Sequence, residues 1–131
     1  MTLYTKSIFK ETSLEDGLRI SVMSRHTLND GKIPDTRITR DKYDKHMPEL
    51  APPLKLVGSW YKGRISWAEF ELAYLQHIRG PVSLTIEALA VEALTKDITL
   101  LCAEETPEYC HRRLLAEECK IYEPSLIIMH K

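Results

Sequence analysis

The chain has 131 residues, enough for one domain that buries roughly two-thirds of the surface its unfolded form would expose. With 44% hydrophobic and 28% charged residues, it falls in the globular range, which excludes whole-chain disorder, collagen-like repeats and a coiled coil. Its 18 Lys and Arg against 19 Asp and Glu give a formal charge of -1, which also excludes a grip on nucleic acid through bulk charge.

The total conceals an asymmetry, because residues 1–64 hold 12 basic and 8 acidic side chains whereas residues 65–131 hold 6 and 11. No internal repeat divides the chain, so a single domain over residues 1–131 is expected. The first twenty residues lack a secretory apolar run, and no stretch approaches the roughly 18 apolar residues of a membrane span, so a cytoplasmic protein without a membrane partner is expected. Cys102, Cys110 and Cys119 crowd into one short window. That layout is a poor disulfide framework and reads as free thiols.

Leu3 to Phe9 alternates apolar and polar residues, and Leu18 to Met23 does so again after the turn signal Glu15-Asp16-Gly17. The pattern predicts an antiparallel strand pair. From Ser24 to about Gly63 periodicity vanishes among prolines, glycines and basic residues. A loop of that length contains short elements or serves a function, and a short helix is expected near Asp41 to His46. Ser66-Trp67-Ala68-Glu69 fits a capping box and starts a helix whose face carries Trp67, Phe70, Tyr74 and Ile78 up to Gly80-Pro81. A second helix, Leu84 to Leu94, is apolar around most of its circumference and is expected to be sandwiched. Ile98 to Ala103 is a short apolar run suited to a strand buried on both faces. Thr106 and Pro107 predict the start of a third helix reaching about Lys120, and Leu126 to Met129 predicts a last strand. The fold class expected is α/β, with a mixed sheet and helices packed on it.

The chemistry gathers where the strand ending at Cys102 hands over to the last helix. Strand ends of open α/β sheets are where ligand crevices form. On a helical wheel His111 falls between the buried Leu114 and Leu115 and faces Cys102, while Arg112 and Arg113 point away. Cys102 and Cys110-His111 lack the paired-couple spacing of a zinc centre, so no metal is expected. Glu104 and Glu105 argue against a phosphate-cradling thiolate loop. Three readings stay open. Cys110 is a nucleophile activated by a helix N-terminus, with His111 as acid/base. Alternatively, Arg112 and the helix end bind an anion. The third reading makes the cysteines core packing and the arginines a solvated face.

Ile98 to Glu118, ITLLCAEETPEYCHRRLLAEE, resembles the signature of domain-of-unknown-function family 488, a strand ending in Leu-Cys-Ala-Glu followed by a Cys-His-Arg helix. The segment from Glu49 to Ile78 is similar to the family's short-chain branch through Ala51, Pro52, Trp60, Tyr61, Trp67, Phe70 and Tyr74. Gly17 to Arg25 resembles its first long strand, with Met23 and Ser24 where an acid is expected before Arg25. The resemblance implies a compact α/β fold and a cytosolic protein, and it brings no reaction or cofactor with it. It also implies that the Arg25 strand end, the Tyr43 to Leu50 segment as a lid, and the Cys110-His111-Arg112 helix meet at one crevice.

The expectation is therefore a crevice for a small molecule or anion. Cys110 and His111 are its candidate catalytic residues, and Arg25, Arg112, Tyr43 and Cys102 its candidate ligand-binding residues. The alternative is a non-enzymatic nucleic-acid-binding module that uses the basic segment 25–64, where cations are interleaved with His26, Tyr43, His46, Trp60 and Tyr61. Self-association into a homo-oligomer is a third use of the surface that the sequence leaves open.

Overall fold

The computed structural model describes residues 1–28 and 30–131. Its strands are β1 (Thr2–Ser7), β2 (Leu18–Ser21), β3 (Lys45–His46), β4 (Ile98–Cys102) and β5 (Ile127–His130); its helices are α1 (Leu54–Tyr61), α2 (Trp67–Ile78), α3 (Ser83–Ala93) and α4 (His111–Tyr122). The strands form one sheet in the order β3-β2-β4-β1-β5. The fold is α/β, as the alternation of apolar runs and capped helices predicts.

Every strand pair is parallel, which corrects the expected antiparallel pair and mixed sheet. β1 and β2 do not touch as neighbours. They flank β4, with Leu3 and Leu18 both opposite Ile98. Alternation marks a strand but carries no direction, and the apparent hairpin turn is a return crossing through residues 8–17. Fully extended, such a connection spans roughly 3.3 Å per residue, more than the length of β1. Gly17 ends it at φ 65, where a Cβ would sit 2.1 Å from the Asp97 carbonyl oxygen. Glycine is required there because that oxygen also accepts the Leu18 N–H at 2.9 Å.

A buried ion knot fixes this crossing. Lys6 Nζ lies 2.7 Å from Asp16 Oδ2, and Lys131 Nζ reaches Oδ1 at 3.2 Å. The Ser13 N–H donates to the same carboxylate, and Thr99 Oγ1 donates to the Asp16 carbonyl. Burial alone would raise the Asp16 carboxyl, but the Lys6 hydrogen bond, with Ser13 and Lys131, outweighs it and holds the group below the usual carboxylate range. The knot ties β1, β4, the crossing and the C-terminal residue to one point.

β4 is buried at every position, as its apolar run predicts for a strand with neighbours on both sides. The Ser66–Glu69 capping box opens α2, which buries Phe70, Tyr74 and Ile78. α3 buries Ile86, Leu89, Ala90 and Ala93 but leaves Leu84 and Val91 exposed, so it is only partly sandwiched. The long segment after β2 is more structured than its sequence suggests. The helix expected near Asp41 to His46 is a 3-10 turn at Arg40–Lys42 followed by β3, and α1 follows Pro53, whose fixed φ suits a helix start. α4 begins at His111, later than expected. Pro107 opens only a single turn, and the extended Cys110 (φ -138, ψ 140) then becomes the N-cap. Among the described residues no helix is long and apolar enough to cross a membrane.

Replacing Asp16 by Asn leaves Lys6 buried without its counter-charge, and breaking a buried pair from one side costs about 3–5 kcal/mol. Urea unfolding of Asp16→Asn should show a loss of that order, whereas Glu15→Gln at the exposed neighbour should change stability by less than about 0.5 kcal/mol. Equal small effects would contradict the structural role of the knot.

Candidate functional site

The carboxyl ends of β1, β2 and β4 meet the N-terminus of α4 at one edge of the sheet. Cys102 is the last residue of β4, and Cys110 caps α4 without a side-chain capping hydrogen bond, so its sulfur is not used to tie the helix end. His111 is buried against the sheet, as the helical wheel predicts. Its Nε2 lies 2.8 Å from the Val22 carbonyl oxygen. That oxygen only accepts, so Nε2 carries the hydrogen and Nδ1 faces the sulfurs, 3.7 Å from Cys102 Sγ. The two Sγ atoms and a His111 ring nitrogen lie within 4.8 Å of one another. The Tyr74 ring meets His111 edge-on at 5.5 Å, and its hydroxyl donates to the Leu50 carbonyl at 2.7 Å.

Arg112 departs from expectation. It does not point away from the sheet but is 0% exposed. Side chains of a helix lean toward its N-terminus, and this one, in the first turn, reaches back past the helix end. Nη1 donates to the Glu104 carbonyl at 2.8 Å, while Nε and Nη2 find no hydrogen-bond partner among the described residues. Arg113 lies nearer the surface and pairs with Glu117 and Glu71.

These neighbours divide the thiols. Burial would raise Cys110, but hydrogen bonds from Cys102 and His111, together with the charges of His111 and Arg112, hold it well below the usual thiol range. Cys102 is pushed the other way, first by its hydrogen bond to Cys110 and then by burial. Burial pushes Cys119, two turns further along the buried side of α4, up to about 12. The arrangement therefore favours the charged form at Cys110 and the protonated form at Cys102 and Cys119.

Cys102, Cys110 and His111 form the floor of an open cavity of about 1170 Å³. Phe9, Trp60, Trp67, Phe70 and Tyr109 line its walls, with Arg25 and Arg37 among its polar lining. Trp67 stacks on Phe70 with centroids 4.7 Å apart, and Trp60 and Tyr109 pack edgewise on Trp67. Tyr61 closes one side by donating from its hydroxyl to the Glu104 carboxylate. Local desolvation and that carboxylate push the Tyr61 phenol up, although the residue itself stays largely exposed. Of the expected ligand-binding residues, Cys102 and Arg25 line this cavity, and Arg112 lies buried behind the thiols.

Tyr43 is not brought to the crevice. It packs instead against His26 and His46, whose own rings stack at 4.2 Å. His26 Nε2 lies 2.7 Å from Ser21 Oγ, and His46 Nε2 donates to the Met23 carbonyl at 2.6 Å. The lid expected from Tyr43 to Leu50 does not line the cavity, whose side there is supplied by α1 through Leu54, Val57, Trp60 and Tyr61. Two participants escaped sequence reasoning. The Val22 carbonyl is a main-chain group that no motif marks, and the Tyr61–Glu104 latch joins residues that are distant in the chain.

The family model described as "Active DUF488-N3 subclade" matches residues 3–121, from β1 into the last turn of α4. No curated protein and no solved structure matches the chain.

The histidine cluster predicts a pH effect. Burial, then the nearby His46, lowers His26 to about 4 from 6.5. Between those values the unfolded chain takes up a proton that the folded chain refuses, so stability should fall as pH drops from 6.5 toward 4. Denaturation midpoints measured across that range should fall less steeply for His26→Gln than for the parent protein. Parallel profiles would contradict the burial of a neutral His26.

Proposed function

The chain belongs to the DUF488 family, within the subclade described as active, and on that footing we propose that its crevice is a thiol-dependent catalytic site for a small ligand. The observation that carries the proposal is Arg112. A guanidinium buried with two unpartnered nitrogens is costly unless a negative charge stands beside it. The group best placed to supply that charge is the Cys110 thiolate, which also sits at the positive end of α4.

In this reading Cys110 Sγ attacks an electrophilic centre of the ligand and forms a covalent adduct. His111 Nδ1, oriented by the Val22 carbonyl, holds the proton taken from the Cys110 thiol, gives it to the leaving group and later takes one from the water that releases the adduct. The N–H groups of Arg112 and the helix end favour negative charge that develops beside the sulfur. Aromatic walls suit a ligand with a flat or apolar portion, and Arg25 at the cavity offers a contact for an anionic group.

The crevice is favoured over the basic segment, four of whose nine cations (Arg25, Arg37, Arg40 and Lys42) already donate to protein oxygens. Arg37 pairs with Asp35 and lies over Phe9; Arg40 lies over Tyr43 and donates to its carbonyl. Arg19, just before the segment, is taken up by Asp44.

Iodoacetamide labelling of the folded protein, mapped by mass spectrometry, tests the proposal. At pH 6 an ordinary thiol is well under about 1% ionised. Cys110 should nevertheless label, Cys119 should label only after unfolding, and Cys110→Ser should remove the folded-state labelling. Labelling of all three cysteines only on unfolding would refute a nucleophilic role.

A further inference from the structure

We propose that Cys102 is the resolving partner of Cys110, so that a hydroperoxide entering the crevice converts the two into a reversible disulfide across the floor of the site. The inference rests on the thiolate reading of Cys110 and extends it to a second cysteine and a second class of reactant.

The geometry places the pair correctly. Both residues are among those lining the cavity, and their sulfurs lie within 4.8 Å of each other. Forming an S–S bond of about 2.05 Å requires the sulfurs to approach by side-chain rotation about Cα–Cβ. Cys102 ends β4 and Cys110 caps α4, so the intervening turn is short and little chain entropy opposes closure. The division of roles also fits: Cys110 holds the charge needed for attack and Cys102 holds the proton needed for the second step. Packing alone does not require a third thiol at this edge, since Cys119 fills the core without entering the crevice.

The chemistry balances in two steps. The Cys110 thiolate attacks one oxygen of a hydroperoxide; the O–O bond breaks, and His111 protonates the departing hydroxide or alkoxide to give water or an alcohol. Cys110 is then a sulfenic acid. The Cys102 sulfur attacks the Cys110 sulfur, the S–O bond breaks, and the thiol proton passes through His111 to the leaving hydroxide, which departs as water. Two thiols are oxidised by two electrons and one hydroperoxide is reduced. Arg112 favours the first step by holding negative charge near the sulfur.

Trypsin gives a direct readout. No Lys or Arg lies between Lys96 and Arg112, so one peptide carries both cysteines. After treatment of the folded, full-length protein with hydrogen peroxide, that peptide should become lighter by two hydrogen atoms. Two of the three thiols should be lost, and dithiothreitol should restore both the mass and the iodoacetamide labelling of Cys110. In Cys102→Ser the reaction should stop at a sulfenic acid that dimedone traps on Cys110. If the parent protein's Cys110 labels with iodoacetamide but peroxide carries it to sulfinic acid with no disulfide, the resolving role of Cys102 is overturned while the nucleophile reading stands. If Cys110 neither labels nor oxidises, both fall together.

Discussion

A buried guanidinium sets the character of this molecule. Arg112 is enclosed where the sheet, the β4–α4 turn and the first turn of α4 meet, and one main-chain carbonyl satisfies only part of it. Surface arginines balance their charge with water or a carboxylate at little net cost. This one has no carboxylate hydrogen-bonded to it among the described residues, and its charge acts on the Cys102 and Cys110 thiols. The same enclosure that makes the cation costly makes a thiolate beside it favourable, because a low local dielectric strengthens their attraction. In the proposed reading Cys110, at the helix N-cap and next to His111, meets that demand, and Cys102, which ends a strand, keeps its proton.

The fold makes this arrangement by convergence. In an all-parallel sheet the carboxyl ends of the strands share one edge, so Val22 after β2 and Cys102 at the end of β4 are brought there together with the N-terminus of α4. The ion knot of Lys6, Asp16 and Lys131 serves this geometry from another part of the fold, since it secures the crossing that lets β1 and β2 run parallel on either side of β4. The Val22 carbonyl then settles which imidazole nitrogen faces the sulfurs. Main-chain geometry thus does the work that an acidic side chain does in many Cys-His sites.

Much of this could be read in the sequence, and what could not has identifiable causes. The apolar run at Ile98 to Cys102 and the Ser66–Glu69 box depend on local patterns, and both elements form where those patterns lie. The meeting of Cys102 with His111 was also legible, because the helical wheel needs only residue spacing. Strand direction was not, since alternation is the same either way and Gly17 answers to Asp97, far along the chain. Arg112 was misplaced because a wheel treats every position as mid-helix, whereas a first-turn side chain can reach back past the helix end. Tyr43 was drawn elsewhere by ring packing with His26 and His46, contacts that no linear motif announces.

The central claim is that Cys110 carries a negative charge that answers Arg112, and titrating the ultraviolet absorbance of thiolates in the folded protein tests it most directly. The parent protein should show one thiolate already present at neutral pH and lost on acidification, with the signal absent in Cys110→Ser. Arg112→Gln should move that titration upward, while Arg112→Lys should keep most of the depression. Absence of a thiolate at neutral pH, or a titration unchanged in Arg112→Gln, would contradict the account.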